Sequence, residues 1–553
     1  MLNLNQIDIG FKAISFFQKE QNADFQKINQ LLKTQCGVVG FFENENDYFQ
    51  LKQQIETSQS CVCESRVEYG DYQTNKQLSE SVCNHLKNKN INPAILIEPT
   101  CGKGNFILSA IQTFNSLQQI FGIEIQKKYL WQLKLDLLEY FLKNPTTNKP
   151  EIRLYHYNIF DFDFQQIKRQ INGRELLVIG NPPWVTNSTL SMLNSNNLPT
   201  KSNFKQAKGI DAITGKGNFD IGECISLKML DLFANENGNF AFLIKNSVIK
   251  NIVFEQKRNN YPISNIEKYT INAQKEFGAA VDASLFVCQF NSTPEFTAQE
   301  FDLYTAKPKV TMGWVNNKFA SDTEKYKKYQ HLDGVCPYEW RQGIKHDCAK
   351  VMELERIDGG FRNALGEEFE LEEDLVYGIL KSSDLKADSI DTPRRYMIVT
   401  QKKIGQETES VLMKLPKTKA YLEHHKDYFL RRKSSIYDGK PMYSIFGVGD
   451  YSFKPYKVAI SGLYKQTKFT LVKPNGTVLL LDDTCYFIGF DTLEEAETVQ
   501  SELNKPEMQA FIESFMFTDA KQAITKDLLM RINFDTTIAK KRKNVPLLNV
   551  NTK

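Results

Sequence analysis

Six short apolar runs, Ala94–Glu98, Gln119–Glu124, Ile152–Tyr157, Leu176–Gly180, Asn239–Ile244 and Ser284–Phe290, recur between residues 66 and 295, with stretches of helical hydrophobic period between them. No other feature of the chain constrains its fold as strongly. Strands that alternate with helices build a mostly parallel sheet, and the helices then cover both of its faces. The fold class predicted for this region is therefore α/β, Rossmann-like, with helices on both sides.

A chain of 553 residues is too long for one hydrophobic core and predicts two or more domains. Residues 1–65, rich in Gln, Asn, Phe and Lys, read as a mainly helical extension. The alternating region, 66–295, reads as the catalytic domain. Beyond about 300 the pattern changes to short strands, turns and clustered Lys, Arg and Tyr, so 300–553 reads as a second, mixed α/β domain. The ten cysteines are scattered without a CxxC pair, which fits a reducing cytoplasm and no metal centre. His424-His425, beside a charged helix, is expected at the surface. Neither a signal peptide nor a membrane-length apolar window is visible, so the expected location is cytoplasmic.

Two turns carry the chemistry. The first, Glu98-Pro99-Thr100-Cys101-Gly102-Lys103-Gly104, follows an apolar run and precedes a helix. Glycines placed just after a strand let a ligand approach the backbone where a Cβ would clash. Asn105 after Gly104 breaks the Walker pattern, and the third glycine of a dinucleotide fingerprint is missing. One strand later stands Glu124, about 20 positions on, where a carboxylate accepts from ribose hydroxyls. A glycine turn with a ribose acid and no pyrophosphate cradle favours a nucleoside-type cofactor. The second turn, Asn181-Pro182-Pro183-Trp184, ends the run Leu176–Gly180. Its prolines fix φ and donate no N–H, leaving bare carbonyls. An Asn carbonyl, a proline carbonyl and an indole suit a planar heterocycle with an exocyclic amine.

Together these residues resemble a known family. Glu98–Phe106 resembles the [DE]-P-A-C-G-x-G-x-F motif of S-adenosylmethionine-dependent DNA methyltransferases, and Asn181–Trp184 is similar to the [DN]-P-P-[YFW] motif of the amino-methylating branch. Cofactor motif first, catalytic motif second and a long tail third is the gamma-type order of N6-adenine enzymes of restriction–modification systems. The resemblance implies cofactor contacts at Thr74, Glu98, Pro99, Cys101, Gly102, Gly104 and Glu124. Gly70–Asn75 resembles the family's G-x-x-x-T-P segment, with Asn75 in place of proline. Asn158-Ile159-Phe160 stands at the D-[IF]-F position against the cofactor's adenine, and Asn158 and the nearby Asp161 are rival acceptors for its amine. Glu276-Phe277-Gly278 matches a family aromatic, so Phe277 and Trp184 are the expected stacking partners of the target base. Trp340–Asp347 looks like a segment seen in restriction-type methyltransferases.

The implied chemistry is methyl transfer to N6 of an adenine flipped out of double-stranded DNA. Asn181 and the Pro182 carbonyl accept both amine N–H bonds and localise the nitrogen lone pair, with Pro183 fixing the turn and Trp184 stacking. Asn rather than Ser at 181 favours adenine over N4-cytosine. The tail supplies a basic footprint, ten basic against three acidic residues over 426–473 and a local net charge of +7, although the whole chain carries only +3. Tyr and Phe interleave with these charges, as phosphate contact and base-edge approach require. Arg431, Arg432, Lys433, Lys454, Lys457 and Lys465 are the DNA-binding candidates. The chain is expected to be a monomer, paired functionally with a separately encoded restriction endonuclease. Enzymes that methylate a glutamine amide or ribosomal RNA share the tetrapeptide, but they are shorter and have no need of such a tail. A silent DNA-binding relative should have lost the catalytic acceptor. A fused nuclease would need a PD…[DE]xK motif, which residues 1–65 do not offer.

Overall fold

The computed structural model describes residues 7–57, 73–185, 220–278, 282–517 and 523–534. It divides into two compact units, Met1–Asn316 and Asn317–Lys553. Among the described residues no helix is long and apolar enough to cross a membrane.

In the first unit, strands β1 (Ile95–Glu98), β2 (Gln119–Glu124), β3 (Glu151–His156), β4 (Leu176–Gly180), β5 (Gly238–Lys245), β6 (Ser264–Thr270), β7 (Ala283–Gln289), β8 (Thr297–Asp302) and β9 (Pro308–Val315) lie in the order β9-β8-β6-β7-β5-β4-β1-β2-β3. β3, β2, β1, β4 and β5 are parallel, while β7 runs antiparallel between β5 and β6. This is the predicted Rossmann-like sheet. β1 and β4 are buried at every position, which is why they read as unbroken apolar runs. Leu96, Ile120, Leu177 and Leu243 pack with the helices α4 (Lys76–Asn88), α5 (Asn105–Thr113) and α6 (Lys127–Lys143). Alternation along each strand turns Ile97, Phe121, Val178 and Phe242, all fully buried, to the opposite face. Strand order reverses at β1, whose neighbours are β2 and β4, and ligands of open α/β sheets bind outside the carboxyl ends of such a pair.

The first unit runs past the boundary expected near 295–300. β8 pairs in parallel with β6, and β9 pairs with β8. The N-terminal segment belongs to the same unit. Of its helices α1 (Phe11–Lys19), α2 (Phe25–Cys36) and α3 (Glu45–Thr57), the first two pack on α6, and Lys134 of α6 donates to the Phe41 carbonyl at 2.8 Å. α2 ends at Gly37 with φ +75°, and a Cβ there would meet the Pro150 carbonyl at 2.2 Å. The close approach lets Gly37 and Val39 exchange backbone hydrogen bonds with Ile152, covering part of the open edge of β3.

The second unit is mixed α/β, as expected. A six-stranded sheet runs Glu368–Phe369, Gly360–Asn363, Glu353–Ile357, Arg395–Ile398, Val376–Leu380 and Leu480–Leu481. A five-stranded sheet runs Arg341–Gln342, Cys485–Phe490, Tyr456–Ser461, Thr470–Val472 and Ser389–Ile390. Helix Pro416–His424 packs its Tyr421 and Leu422 into the core with Val351, Met352 and Met397.

Candidate active site

At the carboxyl ends of β1, β2 and β4 lies an open cleft of about 830 Å³. The glycine turn forms its floor. Gly102 and Gly104 both have positive φ, +53° and +74°. A Cβ at Gly104 would stand 2.2 Å from a Leu133 methyl of α6, and one at Gly102 would stand 2.6 Å from the Gln73 side chain. The turn is tied to β2 by the Cys101 N–H, which donates to the Ile123 carbonyl at 2.9 Å. Glu124, at the end of β2, accepts from the N–H of Gly102 through one oxygen and of Gln126 through the other, each at 2.8 Å. Its carboxylate is thereby held at a fixed angle beside the cleft.

Glu98 and Pro99 line the same space. Glu98 is 3% exposed, and its Oε2 has no hydrogen-bond partner among the described residues. Burial and the adjacent Glu124 push its carboxyl well above the usual range, against a smaller opposing effect from the Ile107 N–H. Burial and the same two acids push the Cys101 thiol up, so it is no nucleophile.

Thr74 joins the two motifs. Its carbonyl accepts from Asn105 of α5 at 2.7 Å, and its hydroxyl accepts from Nδ2 of Asn181 at 3.2 Å. Gly70–Tyr72, the start of the segment that holds Thr74, lie outside the described residues. Asn75, where the family has proline, caps α4 by accepting from the Leu78 N–H, and it donates to Glu276 at 2.9 Å.

Asn181, Pro182 and Pro183 line the cleft opposite the glycine turn. Helix Ile221–Phe233 abuts them: Ile221 donates to the Val185 carbonyl, and Asp220 caps the helix while pairing with Lys245 at 2.7 Å. Trp184 turns away from solvent. Its indole N–H donates to the Leu243 carbonyl at 3.2 Å, and its ring meets Phe277 edge to face, centroids 4.8 Å apart. The two expected stacking rings therefore touch each other.

On the far wall the cleft is lined by Ile159 and Phe160, and Asn158 holds that turn by accepting from the Phe160 N–H at 3.0 Å. Lys228 donates to the carbonyls of Ile159 and Phe160 at 2.7 and 2.9 Å. Asp161 adds an N–H bond to the Asn158 carbonyl within the same turn. The sequence reading missed Lys228 and the lining residues Gln73, Ile125, Tyr129 and Tyr157.

The six basic candidates of the second unit divide. Arg431, Lys433 and Lys465 are exposed. Lys454 forms an ion pair with Asp491 at 2.6 Å. Arg432 turns inward, donating to the carbonyls of Phe429, His346, Ser444 and Met442 and lying 3.6 Å from the Tyr437 ring centre. Lys457 is fully buried on its strand and donates to the Lys454 carbonyl at 2.6 Å. Arg432 and Lys457 are thus structural residues, corrected from phosphate ligands, because Arg432 spends its donors on backbone carbonyls and Lys457 is buried out of reach of a phosphate. His425 is also buried, contrary to the surface position expected.

Against known proteins, no family model matches the chain. It is 39% identical over 480 residues to the type II methyltransferase M.NspV of Nostoc sp., a match spanning 86% of this chain and 98% of the relative. The chain belongs to the type II methyltransferase family. This methyltransferase also has weak likenesses among solved structures. The type IIG restriction endonuclease BpuSI matches at 13% identity and TM-score 0.36, over 96% of this chain and 71% of that one. The type ISP restriction–modification enzyme LlaGI, solved with a DNA substrate mimic, matches at 11% and TM-score 0.38, over 81% and 43%. The EcoKI M protein, a type I enzyme, matches at 11% and TM-score 0.29, over 59% and 70%.

Proposed function

We propose that this type II methyltransferase is a site-specific DNA adenine-N6 methyltransferase and the modification component of a restriction–modification pair. One observation carries the reading. The Asn181–Pro183 turn and the Gly102–Gly104 turn with Glu124 open on the same cleft at the switch point of the sheet.

The residues present fit S-adenosylmethionine. Glu98 brings a buried carboxylate with one partnerless oxygen to the cleft, the complement of an α-ammonium group. Glu124 is oriented for ribose hydroxyls, and Ile125, Ile159 and Phe160 offer apolar walls for a purine. Thr74, Pro99, Cys101 and Gly102 line the floor, Gly104 lies behind it against Leu133, and the turn of Asn158 and Asp161 holds Ile159 and Phe160 on the far wall. When bound, the cofactor supplies an activated sulfonium methyl group. Asn181 and the Pro182 carbonyl accept the N–H bonds of the adenine amine, which localises its lone pair for in-line attack. Pro183 keeps the turn rigid. Acceptors fixed in advance act on the charge developing at nitrogen without reorganising, and alignment supplies several kcal/mol more. Flipping the base costs a few kcal/mol. Stacking on the half-buried Phe277, backed edge-on by Trp184, offsets about 1–3 kcal/mol of it.

Residues 66–295 carry the methyl-transfer chemistry in this reading, and the second unit selects the site on double-stranded DNA. Arg431, Lys433 and Lys465 then contact phosphates. The reading is tested by incubating a plasmid with the enzyme and S-adenosylmethionine, then locating modified bases by long-read sequencing. N6-methyladenine within one short sequence is expected. Methylation of RNA or of a glutamine-bearing protein, with none on DNA, refutes it.

A further inference from the structure

We propose that Glu367, His424 and His425 form a site for a zinc-class divalent ion in the second unit, distant in kind from the methyl-transfer chemistry and independent of it. One possible ligand atom from each of the three side chains lies within 4.8 Å of the others. Two imidazoles and a carboxylate are the donor set that borderline first-row ions take in preference to calcium or magnesium. Three protein ligands leave a fourth position for water.

The geometry around the triad is built rather than incidental. Glu367 stands at the end of a turn organised by Asn363, whose Oδ1 accepts from the N–H groups of Leu365 and Glu367 at 2.9 and 3.1 Å. The Asn363 amide donates to Glu367 Oε2 at 2.6 Å and to the Tyr421 hydroxyl at 3.0 Å. Tyr421 in turn donates to the Val351 carbonyl at 2.8 Å, and its ring lies edge-on to His425, centroids 4.6 Å apart. Both the carboxylate and the buried imidazole are therefore aimed by partners that are themselves fixed, as outer groups aim the ligands of metal sites. His425 Nε2 already stands 2.9 Å from Glu367 Oε2. His424 and Glu367 are exposed, which leaves a path for the ion. The ion would clasp helix Pro416–His424 to the turn after strand Gly360–Asn363, joining segments remote in sequence.

The full chain, stripped with a chelator and dialysed, is titrated with Zn²⁺ by calorimetry and with Co²⁺ by visible absorption. One saturable ion per chain is expected, with the intense bands of low-coordinate cobalt. His424→Ala and Glu367→Gln should each weaken Zn²⁺ at least about tenfold, while His331→Ala, at a separate exposed histidine, should leave it unchanged. His424 is exposed and Gln can still accept from Asn363, so both variants should fold, which melting of the metal-free proteins verifies. Absence of saturable binding, or affinity in both variants equal to that of the parent, overturns the site and reduces the triad to a plain His425–Glu367 hydrogen bond.

Discussion

Glu98→Gln isolates the cofactor reading, because it should move stability and affinity in opposite directions. Glu98 is 3% exposed, so solvent does not screen it, and its Oε2 lacks a partner among the described residues. Burial and Glu124 hold its pKa well above the ordinary carboxyl value. The folded chain then binds more protons than the unfolded chain above the usual glutamate range, so the stability of the metal- and ligand-free enzyme falls as pH rises toward the folded pKa. Glutamine is nearly isosteric and cannot ionise. The variant should melt higher than the parent at neutral pH, and its stability should be flatter with pH over that window. Binding should suffer instead. A charge-assisted hydrogen bond to an ammonium contributes about 1.5–3 kcal/mol, which is roughly a ten- to 150-fold loss in affinity for S-adenosylmethionine. Calorimetry with S-adenosylhomocysteine, which keeps the amino acid, and with methylthioadenosine, which lacks it, supplies the control. The first should weaken like the cofactor and the second should not. Equal losses for both ligands, or none for either, would refute the placement of the ammonium at Glu98.

Three further outcomes are expected. Asn181→Ala should lower single-turnover methyl transfer by at least about a hundredfold while leaving cofactor affinity nearly intact, since its acceptor acts on the reacting amine. Neutralising Arg431 and Lys433 together should weaken binding to every DNA sequence and reduce the slope of log affinity against log salt by about 0.9 per lost phosphate contact, measured by fluorescence anisotropy. Lys457→Met should leave that slope unchanged and stabilise the protein. Burial lowers the Lys457 pKa to about 7 from 10.5, so the unfolded chain binds the extra proton between those values and the parent gains stability as pH rises through them. Melting curves of the variant should lack that rise.

β1 and β4 are covered on both faces and stand out as apolar runs, while in β6 the polar Ser264, Asn265, Glu267 and Lys268 break the pattern, so the sequence shows no run there. Its partner β8 straddles the expected boundary, so the first unit extends further along the chain than the apolar runs mark. The glycine turn was legible because positive φ and close approach to Leu133 leave no room for another residue. Arg432 was not separable from Arg431 and Lys433, because three adjacent cations read alike until the chain's path turns one of them toward four carbonyls. Lys457 and Lys228 left a fainter sign that was available. Lys457 is the single charge in the strand Tyr456–Ser461, and Lys228 is the single cation of the helix Ile221–Phe233, which also carries Glu223 and Asp231; a cation in a buried element must find acceptors. Both do so on backbone carbonyls.

On the proposed reading, the Asn181–Trp184 turn acts as a preset acceptor because the elements around it hold it in place. Four adjacent residues are restrained from three directions by elements far apart in sequence. Thr74, just before α4, takes a hydrogen bond from Asn181, the helix start at Asp220–Gly222 closes on Pro183, and the Leu243 carbonyl of β5 fixes the Trp184 indole. A tetrapeptide in isolation would sample many positions for its two acceptor oxygens, and the prolines alone restrict φ without fixing where the turn points. The sheet and its helices supply that direction, so the acceptors need no reordering when an amine arrives. Phe277 is the exception in this arrangement. It is half-buried on a helix of only five residues and meets Trp184 through a ring edge. On the proposed reading, a base entering the site would stack on Phe277, and any adjustment would fall on that ring rather than on the acceptors.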